Sequence, residues 1–180
     1  MSMMHASGVK DAMTTTAVPP TASLMRWVIA PTLPGIATMS YFFGLGVISN
    51  VLLAAAFGVA LEAAVLRLRQ RPIRVALDDS SALLTGVLLG TSLPPASPWW
   101  LIGVGMIAAI VVAKQLYGGL GHNPFNPAMV GYALLLVSFP TYMTLWAPPQ
   151  EMLPNDLWAQ ITGTLPTAQL DSLSGATPLD

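Results

Sequence analysis

An all-α integral membrane protein is the fold class this sequence predicts, and three observations predict it. Apolar residues make up 54% of the 180 and charged residues only 8%, with a mean hydropathy of +0.65; a soluble domain carries about 25% charged residues to solvate its surface. The apolar residues fall into runs near the roughly 20 residues that a helix needs to cross a bilayer. Those runs lack the alternation of barrel strands, so helices are left to satisfy the backbone in lipid. About five transmembrane helices are expected, one of them short or discontinuous, followed by an irregular periplasmic loop.

The elements follow in order. Met1 to Ser23 is polar and threonine-rich with Pro19-Pro20; it lacks the apolar core and cleavage site of a secretory signal and reads as a cytoplasmic tail. The first span runs from Leu24 to Phe43 and contains Pro31 and Pro34, which predict a kink. The second, Gly44 to Leu66, is nearly uncharged and leads into Arg67, Arg69, Arg71 and Arg74, four of the seven basic residues. Clustering of this kind marks the cytoplasmic side, so the loop from Arg67 to Asp79 faces in. Ser80 to Leu93 lies between Asp78-Asp79 and Pro94-Pro95. Its length as a helix, about 21 Å, falls short of a hydrocarbon core of about 30 Å. The fourth span, Trp99 to Tyr117, opens on an interfacial Trp pair, and the fifth runs from Ala128 to Trp146. Residues 24–146 thus form the transmembrane region. Residues 147–180, with four acids and no Lys or Arg, have the composition of a translocated segment.

Several chemistries are excluded or disfavoured. Seven scattered basic residues give no electrostatic footprint for nucleic acid. The absence of cysteine rules out disulfides, thiolate zinc sites and iron–sulfur ligation by this chain. No catalytic triad, phosphate-cradling loop or carboxylate pair is present. His122 has only the tail histidine for company, so a local metal site is not expected. Glu62 and Lys114 are placed near the inner end of their spans, with Lys114 snorkelling to the interface. Asp78 and Asp79 precede a helix start and are expected to cap it, an ion-pathway role being the alternative. Gly103 and Gly105 are expected to allow close helix packing.

The linker between the fourth and fifth spans includes Asn123-Pro-Phe-Asn-Pro127, which cannot form a regular helix. Two readings stand side by side. It is a tight turn whose asparagines cap the fifth span, or it is a wall of a second, non-covalent flavin or ion site formed by Asn123 and Asn126. Tyr117 and Phe125 then either stack on a flavin ring or anchor the interface.

Three stretches, Asp79 to Gly86, Ala113 to Ala128 and Leu173 to Asp180, resemble the D subunits of Rnf-type electron-transport complexes. Ser174-Gly175-Ala176-Thr177 is similar to the flavin attachment sequence of that family and of the related B subunits of sodium-pumping NADH:quinone reductases. The resemblance implies FMN carried through its phosphate on the Thr177 hydroxyl, with Asp171 and Ser174 orienting the transferring phosphate or its metal. It implies maturation by a flavin transferase and partner subunits bearing iron–sulfur and flavin groups; a second, non-covalent flavin such as riboflavin stays one of the two readings of the linker. It further implies redox chemistry coupled to Na+ or H+ movement in a bacterial inner membrane, without independent turnover. Family members continue with further spans after the threonine motif, so this chain corresponds to the N-terminal half of one. A quinone-reductase B subunit and a cofactor-free channel or transporter are the alternatives.

Overall fold

The computed structural model describes residues 21–73, 77–119, 121–146 and 157–164 and is built from helices, with no strand among the described residues. The long elements are α1 (Thr21–Phe43), α2 (Gly46–Leu68) and α3 (Ser81–Ser92). Then come α4 (Trp99–Met106), continued without a break by a π-helix (Ile107–Gln115), and α5 (Pro127–Ser138). Two short helices follow, α6 (Pro140–Met143) and α7 (Leu157–Thr162).

Three boundaries differ from the sequence reading. The fourth span changes winding at Ile107: Leu116 N–H donates to Val111 O and Gly119 N–H to Lys114 O, both at 3.0 Å and both five residues back. The fifth span breaks at Phe139, because Pro140 brings no amide donor and bars its predecessor from helical geometry. The segment after Trp146, expected to be irregular, contains α7, and Gly163 just beyond it lies against Pro98. The helix α1 runs through both Pro31 and Pro34, and the Thr32, Thr38 and Ser40 hydroxyls donate to carbonyls three or four residues back.

The backbones of α2 and α3 approach closely. A Cβ built on Gly86 would lie 2.6 Å from Ala54 O, one on Gly90 2.7 Å from Val51 Cα, and one on Gly58 2.9 Å from Ala82 O. Backbone therefore touches backbone along a stripe of small residues spaced four apart, as in bilayer helix pairs. Gly105 serves the same end opposite Leu135, whereas Gly103 meets only Phe57, at 3.8 Å. Leu89, Leu93, Leu101, Ile102, Met106, Ile110 and Leu135 fill the core. Outside it, α1 leaves Trp27 and Tyr41 about three-quarters exposed. Among the described residues, α2 alone is long and apolar enough to cross a membrane by itself.

Polar groups separate to the two ends. At one, Asn50 Nδ2 donates to Pro94 O at 2.8 Å, and Trp100 stacks edge-on with Phe139 and Tyr142. At the other lie the exposed Arg67, Arg69 and Arg71, the Arg26–Asp78 pair at 3.5 Å, and the glycine-rich turn before α5. Gly118 and Gly119 adopt φ of +104° and +102° there, conformations that a side chain would strain. Arg74 lies outside the described residues.

Candidate functional site: a buried ion pair beside a cavity

The sequence reading places Glu62 and Lys114 at the interface; the structure buries them against each other. Glu62 is 2% exposed and Lys114 1%. Lys114 Nζ donates to Glu62 Oε1 and Oε2 at 2.6 and 2.7 Å and to Ser81 Oγ at 2.6 Å. Gln115 Nε2 donates to Glu62 Oε1 at 3.0 Å. The reason for the difference is the face made by Asn50, Ala54, Gly58, Glu62 and Leu66, spaced four apart and all buried in α2, which turns Glu62 inward. The π-helix then presents two consecutive side chains, Lys114 and Gln115, to one carboxylate. A charge so placed must be paired and hydrogen-bonded, and here every ammonium donor has an acceptor.

Ser81 links the pair to the loop before α3. Its Oγ donates to Asp79 Oδ1 at 2.6 Å, and its amide donates to the same oxygen at 2.8 Å. Asp79 therefore performs the capping expected of it, around a left-handed Ser80 at φ 58°. Asp78 instead faces Arg26, and both side chains are largely exposed.

Beside Lys114 lies a cavity of about 240 Å³ lined by Met25, Ser81, Leu84, Thr85, Leu88, Lys114, Asn126 and Pro127. The Thr85 hydroxyl is committed to Ser81 O at 2.8 Å. Asn126 caps α5 through Oδ1, which accepts from Ala128 N–H at 3.0 Å, and its Nδ2 makes no hydrogen bond among the described residues. The capping half of the linker reading thus holds at Asn126. Asn123 closes its own turn, with Nδ2 donating to Phe125 O at 2.7 Å. Tyr117 and Phe125 are 55% and 67% exposed and do not line the cavity. Of the four linker candidates, only Asn126 comes to it. Asp171, Ser174, Gly175, Ala176 and Thr177 lie outside the described residues. Sequence reasoning missed Ser81, Thr85 and Gln115; the available signal was that the one acid and the one lysine of the apolar spans have opposite sign.

Comparison with known proteins adds a second line of evidence. A family model described as NQR2, RnfD, RnfE family matches residues 10–180. The chain is 49% identical over 174 residues to the D subunit of the ion-translocating oxidoreductase complex from Citrobacter koseri, with 89% of this chain and 50% of the relative covered. It is 53% identical over 169 residues to the protein of that name from Cellvibrio japonicus and 55% over 161 residues to that from Alcanivorax borkumensis, each comparison covering 89% of this chain and 46% of the relative. The chain spans about half the length of the curated relatives it matches.

Proposed function

The chain belongs to the NQR2, RnfD, RnfE family, and from that premise we propose that it works as a membrane subunit of an Rnf-type ion-translocating electron-transport complex. The observation that carries this reading is the family match, which extends across the Asp79–Gly86, Ala113–Ala128 and Leu173–Asp180 stretches. The name its relatives share, the D subunit of an ion-translocating oxidoreductase complex, favours this assignment over a quinone-reductase B subunit. Other membrane, flavin and iron–sulfur subunits are its partners, and turnover belongs to the assembly. The subunit is multi-pass in the bacterial inner membrane, with its N-terminus in the cytoplasm and Thr177 on the periplasmic side.

FMN, esterified through its phosphate to Thr177, supplies one- and two-electron transfer when bound. Thr177 tethers it, Ser174, Gly175 and Ala176 keep the hydroxyl reachable for a flavin transferase, and Asp171 orients the incoming phosphate. A second, non-covalent flavin such as riboflavin belongs beside Asn126. The cavity there is smaller than the roughly 300–1,000 Å³ of pockets that bury a whole ligand, so the described walls suit one edge of a ring system. The Asn126 Nδ2 group is a donor for that edge. The test is co-expression with a flavin transferase followed by a denaturing gel. Fluorescence that survives denaturation and disappears in Thr177→Ala is expected. Equal labelling of the variant, or no label at all, refutes the attachment.

A further inference from the structure

Asp79, Ser81, Lys114 and Glu62 are joined by three consecutive hydrogen bonds, each 2.6 Å long. The line starts at a half-buried carboxylate in the loop before α3 and ends at a fully buried one. Capping explains Asp79, and charge compensation explains Lys114 beside Glu62. Neither requires that one hydroxyl serve both, yet Ser81 Oγ accepts from Lys114 and donates to Asp79. A buried ion pair is often no more stable than apolar residues of the same volume, and ionisable residues inside a bilayer commonly mark proton relays.

We propose that Asp79, Ser81 and Lys114 form a proton relay between solvent at the arginine-rich end of the bundle and Glu62. The inference does not depend on a flavin. With Glu62 protonated, the Ser81 O–H bond breaks as an Asp79 O–H bond forms. A Lys114 N–H bond breaks as Ser81 Oγ takes its proton, and the Glu62 O–H bond breaks as Lys114 recovers one. The net change is one proton moved from Glu62 to Asp79, with Ser81 and Lys114 regenerated; reversal carries a proton inward. Rotation of the Ser81 hydroxyl resets the line. The other charged groups described at this end stand apart: Arg26 pairs with Asp78, and Arg67, Arg69 and Arg71 are exposed. Gln115 is the neutral donor that holds Glu62 in place.

Lys10 and Lys114 are the only lysines, so 15N-lysine labelling of the full chain in lipid nanodiscs gives two ammonium signals. The Lys114 protons are expected to exchange with water despite their burial, at least tenfold more slowly in Ser81→Ala, and at the wild-type rate in Ser81→Thr. Asp79→Asn, which retains an acceptor oxygen but cannot carry a proton, is expected to slow exchange to the same extent and decides the matter should Ser81→Ala not fold. Unchanged exchange in Ser81→Ala or in Asp79→Asn overturns the relay. Neither outcome bears on flavin attachment, which is read separately on the gel.

Discussion

Replacing Lys114 by methionine keeps most of the side chain's volume and removes its charge. Glu62 then loses the donor that bonds both its oxygens, at 2.6 and 2.7 Å, and is left with Gln115 Nε2 at 3.0 Å. Ser81 Oγ loses a donor as well. Both partners are at most 2% exposed, and an uncompensated buried charge costs about 3–5 kcal/mol. Removing the second charge lifts that penalty, so Lys114→Met/Glu62→Leu should lie within about 1 kcal/mol of wild type, or above it. The assay is unfolding in mixed micelles by rising dodecyl sulfate, followed by helical circular dichroism, for both single variants and the double. A Lys114→Met loss below about 1 kcal/mol would show that the pair is not desolvated. A double variant as unstable as the single would show that packing, not charge, holds the site together.

The α2–α3 seam predicts that Gly86→Ala costs about 1–3 kcal/mol, since its Cβ would meet Ala54 O and Ala55 Cα at 2.6 Å. Gly103→Ala, whose nearest neighbour is Phe57 at 3.8 Å, should be neutral or stabilising by up to about 1 kcal/mol through helix propensity; the same unfolding titration reads both. Asn126→Ala removes the α5 cap and should cost about 1 kcal/mol, with faster amide exchange confined to the first turn after Pro127. A topology reporter fused after Trp146 should be active on the periplasmic side, and activity confined to the cytoplasm would reverse the assigned orientation.

The two limits of α3 and the start of α5 were legible because they are local. Pro94-Pro95 ends α3, Asn126-Pro127 opens α5, and Asp79 caps where an aspartate before an apolar run should. The buried pair was not legible in the same way. The position of Glu62 within its run says how far along α2 it sits, but the direction it faces depends on α3 and the π-helix. Winding was hidden too, since Ile107 to Ala113 is uniformly apolar and such a run carries no periodicity to separate one helix type from another. The Ala82, Gly86 and Gly90 spacing was visible, but which surface it meets is a tertiary fact. The proposed attachment of FMN at Thr177 rests on sequence resemblance.

Between Ile107 and Gln115 the backbone is wound more widely than in the α-helical turns before it, and that winding aims the ammonium. One residue turns a regular helix by about 100°. Deleting a single aliphatic residue upstream of Lys114 would therefore swing the lysine off its carboxylate while leaving composition and hydropathy almost untouched. Span length here behaves as a dial on the electrostatics of the bundle interior, and shortening by one position strikes the same contact as removing the charge itself.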